Sequence, residues 1–115
     1  EQTPASIADG ATETLTNAGS TRFWPVFKVY GATSAFTITN VTTGEAIVYN
    51  GTAIGGGSYV EIDCFRGTAY LNGNSSNLLD GIDFLNTDFF ALAVGANNVS
   101  ISGAACDVLW NNGWL

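Results

Sequence analysis

The sequence predicts an all-β domain, folded as an antiparallel β-sandwich with little or no helix. Runs of β-branched and aromatic residues, broken by Gly, Asn or Ser, recur about every eight to twelve positions, which is the spacing of strands in sandwiches and barrels. The 115 residues include 14 Gly against 2 Pro and are 46% hydrophobic but only 11% charged. A chain of this length can bury one hydrophobic core, so we expect a single sandwich.

The individual strands follow from these runs and from the turn residues between them. We predict strands at about residues 12–16, 23–30, 35–40, 45–49, 58–64, 67–71, 88–93, 97–102 and 104–110. A short helix is expected only within residues 75–85. Because Pro25 has no N–H to donate to a ladder, its strand should lie at a sheet edge or carry a bulge.

Alternation within the strands separates a core side from a solvent side. Val60, Ile62 and Cys64 alternate with more polar neighbours, which places these three side chains in the core. The same reasoning applied to the other strands gives the set of side chains that we expect to be most buried. This set is Phe36, Ile38, Ile62, Leu71, Val99, Ile101 and Trp110.

The N-terminal twenty residues differ from the rest, since they are rich in Thr, Ala, Gly and Ser and carry one weak strand signal. Such a segment buries little by itself. We therefore predict an extended arm or linker over residues 1–20, held by a neighbouring subunit or another domain, and a sandwich over residues 21–115. The chain starts at Glu1 and contains no Met, which is typical of a processed product or a piece of a longer chain.

The composition also limits partners and chemistry. The formal net charge is −7 with only 3 Lys and Arg, so the chain cannot neutralise a nucleic-acid backbone or coat an anionic membrane. It contains no histidine, the usual base that activates a Ser or Cys nucleophile. We therefore expect no catalytic residues, no cofactor, and neither nucleic acid nor membrane as a partner.

Three motifs stand in a fixed order along the chain. The segment Ile38–Glu45 reads ITNVTTGE, Val60–Asp63 leads through a hairpin into Ala69–Gly73, and Val108–Leu115 ends in Trp-Leu. Their order and spacing resemble the C-terminal domain of siphophage distal tail proteins, where the corresponding motifs read N-x-T-T-G-E, x-I-D followed by V-x-x-N-G, and a final Trp-containing strand. The resemblance covers roughly residues 22–115. The chain departs from the family pattern at Val94–Ala96, where a Pro-Gly turn is usual.

The resemblance implies a galectin-like or jelly-roll-like sandwich, shared with carbohydrate-binding modules. It implies a non-enzymatic virion structural protein, a peripheral domain of a distal tail or tail-tip component that forms a homo-oligomer and contacts other virion subunits. Contact with host-surface carbohydrate is an additional hypothesis. The alternative is a carbohydrate-binding module or lectin domain of a secreted bacterial protein, because one fold serves many functions. An accessory domain of a glycoside hydrolase or tail depolymerase is a third hypothesis.

Amphipathic rings are more numerous than a small core needs. The candidates for glycan or interface contact are Trp24, Tyr30, Tyr49, Tyr59 and Trp114. Sugars stack their C–H faces on such rings, but Trp and Tyr are also enriched where proteins dock. We favour packing and interface contacts over sugar. Tyr30, Tyr49 and Tyr59 fall on predicted outer faces, so they are the first candidates.

An acidic cluster offers a calcium alternative. Asp80, Asp83 and Asp88 lie close together in sequence with Asn86, and hard oxygen ligands at short spacing can bind calcium. The spacing does not match an EF-hand loop, and Asp and Asn also form turns by bonding nearby backbone. We favour turn residues over a metal site. A glycosidase carboxylate pair is less favoured still, because no cleft signature accompanies these residues.

Cys64 and Cys106 both fall on predicted inward faces. They are either two buried thiols or a disulfide between packed strands. Virion proteins assemble in a reducing cytoplasm, so the resemblance favours free thiols.

Overall fold

The structure is a computed structural model that describes residues 3–73 and 76–110. A 3₁₀ turn spans Leu79–Gly81. The strands are β1 (Thr3–Ile7), β2 (Thr12–Asn17), β3 (Val26–Tyr30), β4 (Phe36–Asn40), β5 (Glu45–Tyr49), β6 (Tyr59–Asp63), β7 (Thr68–Leu71), β8 (Ser76–Asn77), β9 (Gly95–Ser102) and β10 (Cys106–Trp110).

The strands form two antiparallel sheets. Within residues 3–73 and 76–110, one sheet has six strands in the order β1-β10-β3-β6-β7-β8, and the other has four in the order β2-β9-β4-β5. The predicted all-β sandwich is therefore confirmed. No helical segment in the described part of the chain is long and apolar enough to span a bilayer.

The core lies between the sheets and follows the predicted alternation closely. Phe36, Ile38, Ile62, Val99 and Ile101 are all buried, as expected, and so is Trp110, whose indole N–H donates to the carbonyl of Thr16. The prediction is wrong for Leu71, which is only half-buried. Leu71 ends β7 opposite Ser76 of the two-residue β8, so little of the sheet lies beyond it.

The predicted N-terminal arm is wrong for the described residues. β1 pairs along its whole length with β10, from Thr3 opposite Trp110 to Ile7 opposite Cys106, and β2 pairs with β9 in the other sheet. Ile7 and Leu15 are each 1% exposed. A strand at a sheet edge needs only a few apolar side chains on its inner face. A Thr-rich segment can therefore form an edge strand.

The expectation for Pro25 is also wrong. β3 begins at Val26 and lies in the interior of its sheet, between β10 and β6. Pro25 immediately precedes the strand, where its missing N–H removes no ladder bond. Its carbonyl accepts a hydrogen bond from the N–H of Cys64 at 3.1 Å.

Residues 88–93, predicted as a strand, belong instead to a connection whose earlier part, residues 83–88, covers the edge of β5. The N–H groups of Asp83 and Asp88 donate to the carbonyls of Val48 and Ala46 at 2.9 and 2.7 Å, and the N–H of Val48 donates to the hydroxyl of Thr87 at 2.9 Å. Covering an edge in this way removes a template for unwanted strand pairing. The connection then enters the core, where the ring of Phe90 packs edge-on against Phe27 at 5.7 Å.

Both cysteines are buried free thiols, as favoured from the sequence. Burial raises the pKa of the Cys64 thiol well above its ordinary range and raises the pKa of Cys106 to about 12.

Because the thiolate is the reactive species, neither thiol should react quickly in the folded protein at pH 8. Labelling with a chromogenic disulfide should find two reactive thiols in guanidinium chloride and none in the first minutes without it. A rapidly labelled thiol in the native protein would contradict the burial of these side chains.

Candidate functional site

The outer face of the six-stranded sheet carries a group of polar and aromatic side chains that we call the tyrosine cluster. Ladder register places Lys28 of β3 between Asp107 of β10 and Glu61 of β6, and it places Tyr30 opposite Tyr59. These positions alternate with buried residues such as Val29 and Cys106, so their side chains share the solvent side. The tyrosine cluster consists of Ser6, Lys28, Tyr30, Tyr59 and Asp107.

Asp107 organises this cluster through two charge-assisted hydrogen bonds. The hydroxyl of Tyr30 donates to Oδ2 of Asp107 at 2.7 Å, and the hydroxyl of Ser6 donates to Oδ1 at 2.6 Å. Such bonds to a carboxylate are shorter and stronger than neutral ones. Asp107 therefore fixes the orientation of the Tyr30 ring although that side chain is 38% exposed.

The two tyrosine rings form a tilted pair beside a cation. Their centroids are 6.0 Å apart, and Nζ of Lys28 lies 5.3 Å from the centroid of Tyr59. The carboxylate of Glu61 belongs to the same face, because Glu61 follows Tyr59 by two positions in β6. The face thus combines ring surfaces with hydrogen-bond donors and acceptors, which is the chemistry that recognises a sugar or a polar protein surface.

The hydrogen bonds shift the pKa values of both partners. The bonds from Ser6 and Tyr30 lower the pKa of Asp107, and the bond to Asp107 raises the pKa of Tyr30 to about 12. Because folding lowers the carboxyl pKa, the ionised Asp107 stabilises the folded protein fully above the ordinary carboxyl pKa. This stabilisation is lost as the pH falls through the pKa that Asp107 has in the folded protein. Because folding raises the phenol pKa, the protonated Tyr30 stabilises the folded protein fully below the ordinary phenol pKa. This stabilisation is lost as the pH rises through about 12.

Replacing the Asp107 carboxylate should remove most of the rise in the Tyr30 pKa. We expect Asp107→Ala to lower the pKa of Tyr30 toward the ordinary phenol value of about 10, because both the hydrogen bond and the nearby negative charge are removed. Titration of the tyrosine ring resonances by NMR measures this. Ser6→Ala is the control, since it leaves the bond between Tyr30 and Asp107 in place. An unchanged Tyr30 pKa in Asp107→Ala would show that this bond does not form in solution.

The structure separates the five aromatic candidates. Tyr30 and Tyr59 lie together in the tyrosine cluster, as their predicted outer faces require. Trp24 is half-buried just before β3, where its ring meets Phe65 edge-on at 6.3 Å. Trp114 lies outside the described residues.

The outer-face prediction is wrong for Tyr49. Its side chain is 1% exposed, its ring stacks on Phe36 at 5.1 Å, and its hydroxyl donates to the carbonyl of Thr52 at 2.7 Å. Burial raises its pKa. Tyr49 follows Ile47 by two positions, and both residues face the core. The alternation of side chains along β5 could therefore have predicted that Tyr49 is buried.

Among the described residues, no three or more His, Cys, Asp or Glu side chains come together as a group that could hold a metal ion. Asp80 is exposed within the 3₁₀ turn, while the backbones of Asp83 and Asp88 bond to the edge of β5. A side-chain oxygen of Asp83 accepts from the amide of Asn86 at 2.9 Å. Asp83 and Asn86 therefore bond to each other within a turn, while the role of the whole cluster as turn residues stays a prediction.

Sequence reasoning missed the organising role of Asp107. Its alternation with Cys106 and Val108 could have placed it on the solvent side, but its contacts with Ser6 and Tyr30 depend on strand pairings between residues far apart in the chain. Periodicity contains no information about those pairings.

Residues 18–114 match the family described as the siphovirus-type tail component, C-terminal domain. The chain belongs to this family. The resemblance seen in the sequence motifs is thereby confirmed, together with a location in the virion tail. The match supports a tail structural component rather than the secreted bacterial module considered as the alternative.

A solved structure shares the fold of this tail domain. The Dit protein of phage SPP1, described as a paradigm of the hub adsorption apparatus in phages that infect Gram-positive bacteria, superimposes with a TM-score of 0.78 at 8% sequence identity. The alignment covers 96% of the tail domain and 46% of the Dit chain, so the domain spans less than half the length of that protein. No match was found among curated protein sequences.

Proposed function

We propose that this tail domain is a non-enzymatic structural module at the periphery of a distal tail component, present in several copies as part of a homo-oligomer and in contact with other virion subunits. The observation that carries the proposal is the family match over residues 18–114. The shared fold with Dit extends it to the distal tail, since Dit is described as part of a hub adsorption apparatus.

Antibody labelling of intact virions tests the position. Gold-conjugated antibodies raised against the whole 115-residue chain should label the distal end of the tail in electron micrographs, because a peripheral domain exposes most of its surface. Antibodies against the major tail-tube protein provide the control for accessible epitopes along the tail. Gold confined to the tail shaft, or particles that remain unlabelled while the control labels, would contradict the proposed position.

A second function, contact with a host-surface glycan, is favoured by the tyrosine cluster. Two neighbouring rings stand beside a carboxylate and an amine on an open sheet face, so stacking and hydroxyl recognition can act together. Stacking without directed hydrogen bonds would give little selectivity. A single site of this kind would bind near millimolar, or about 4 kcal/mol, and would become useful through many copies on one tail.

Binding of virions to immobilised host cell-wall polysaccharide tests the glycan contact while retaining multivalency. Tyr59→Ala should reduce retention strongly, because the stacking surface beside Lys28 is lost. Thr37→Ala, on the four-stranded sheet, provides the matched control and should bind like the parent. Equal retention of the Tyr59→Ala and parent virions would leave the domain with its structural function alone.

A further inference from the structure

The chain contains three Asn-Gly pairs, and two of them lie among the described residues, at Asn50–Gly51 and Asn72–Gly73. The third, Asn112–Gly113, lies outside them. An asparagine followed by glycine can lose its amide spontaneously, because glycine has no side chain to keep its backbone nitrogen away from the asparagine amide carbon. Asn50 and Asn72 are both exposed, so exposure alone does not distinguish the two described pairs.

Hydrogen bonds hold Asn72 in a tight turn. Its side-chain oxygen accepts a hydrogen bond from the N–H of Tyr59 at 3.1 Å. The N–H of Gly73 donates to the carbonyl of Tyr70 at 3.4 Å. The φ angles of 51° at Asn72 and 90° at Gly73 are those of a two-residue type I′ turn. The amide of Asn72 and the nitrogen that would attack it are therefore both engaged in hydrogen bonds.

The side chain of Asn50 lacks these restraints. Among the described residues, none forms a hydrogen bond with that side chain or with the N–H of Gly51. The main chain around it is held, since the N–H of Asn50 donates to the carbonyl of Gly81 at 2.8 Å. Within this part of the chain, the Asn50 amide can therefore turn toward a nitrogen whose N–H is not engaged.

The fold also requires glycine at position 51. A Cβ there would overlap with Cα of Gly81 and would crowd the ring of Tyr49. Only glycine permits such a close approach of two backbones. The packing of this loop against the 3₁₀ turn thus demands the residue type that makes the preceding asparagine most reactive.

We propose that Asn50 is a site of spontaneous deamidation in the folded protein and that Asn72 is protected. The nitrogen of Gly51 forms a bond to the side-chain amide carbon of Asn50, and the bond from that carbon to the amide nitrogen breaks. Ammonia leaves with the proton that Gly51 gave up through water. One water molecule then adds to either carbonyl carbon of the succinimide ring, and the ring opens to aspartate or isoaspartate. Each event adds one negative charge to a chain of formal net charge −7.

The isoaspartate product should also weaken the loop. It routes the main chain through the side-chain carbons, which lengthens the chain between residues 50 and 51. The added length falls between two contacts with Gly81, the hydrogen bond from the Asn50 N–H and the packing of Gly51. A longer main chain cannot keep both contacts in place, whereas the aspartate product leaves the main chain unchanged.

Peptide mapping by mass spectrometry, after incubation of the 115-residue chain at mildly alkaline pH, tests the proposal. We expect Asn50 to lose its amide faster than Asn72 by about tenfold or more, because the hydrogen bonds at Asn72 must break before its amide can react. In guanidinium chloride the two rates should become similar, since the local sequence alone then governs them. Similar rates in the native protein, faster loss at Asn72, or an Asn50 that reacts only in the denatured chain would overturn the proposal.

Two variants of Asn50 separate the chemistry from its effect on the loop. Asn50→Gln keeps an amide but places it one carbon further out, where ring closure is slow, so modification at position 50 should disappear. Isoaspartate in the peptide that contains residue 50, detected with isoaspartyl methyltransferase, should occur in the parent and not in this variant. Thermal unfolding of Asn50→Asp should match that of the parent, while the isolated isoaspartate form should unfold at a lower temperature. Equal unfolding temperatures for the isoaspartate form and the parent would overturn the predicted loss of contacts with Gly81.

Discussion

Truncation of Ile62 to Ala is expected to lower the free energy of unfolding by about 2–4 kcal/mol, the usual cost of removing a large aliphatic side chain from a packed core. Ile62 is fully buried in β6, between Phe27 of β3 and Ala69 of β7. Its neighbours lie on fixed strands, so they cannot collapse fully into the space left behind. Urea denaturation followed by tryptophan fluorescence measures the change.

The matched control is Val41→Ala, which also shortens an aliphatic side chain but at an exposed turn position. It should change stability by less than about half a kcal/mol. A loss of that small size in Ile62→Ala would show that the core side of β6 has been assigned to the wrong face.

Replacement of Asn97 by Ala is expected to be comparably damaging, by about 3 kcal/mol, although this residue is polar. Its fully buried amide donates to the carbonyls of Ala93 and Gly95 at 2.8 and 3.1 Å, and its oxygen accepts from the N–H of Ala93 at 3.0 Å. The amide thereby holds the turn that leads into β9. Each buried group left without a partner costs about 1–3 kcal/mol, so losing several bonds together should exceed the cost of an ordinary substitution.

Asn98→Ala provides the control within the same strand, because Asn98 is exposed and its side chain accepts from the hydroxyl of Thr14. We expect a loss below about 1 kcal/mol, the net contribution of one exposed hydrogen bond. Thermal unfolding of both variants under the same conditions gives the comparison. Similar losses in the two variants would argue against the buried network around Asn97.

The sequence by itself determined the class of fold, most strands and the core side of those strands. Phe36, Ile38, Val99 and Ile101 were assigned to the core from alternation alone, and the structure buries them all. Alternation succeeds because successive side chains of a strand point to opposite faces whatever the strand pairs with. The ordered motifs also identified the tail family, which the match over residues 18–114 confirms.

The tertiary structure decided everything that depends on which distant segments meet. The Thr-rich start of the chain becomes β1 and β2 because the open edges of β10 and β9 supply hydrogen-bond partners, which no local property of residues 1–20 records. The same holds for residues 82–92, which lie along the edge of β5 and then cross toward the other sheet. Unpaired backbone groups are costly to bury, so a segment with weak strand propensity still pairs when an edge is available.

Contacts between side chains far apart in the sequence arise in the same way. Tyr30 and Asp107 are 77 positions apart in the chain, and Trp24 meets Phe65 only because β3 pairs with β6. Periodicity predicts which face of a strand a side chain occupies, but the neighbours on that face are set by strand order and register. Those are fixed by the packing of both sheets around one core, a property of the whole chain rather than of any segment.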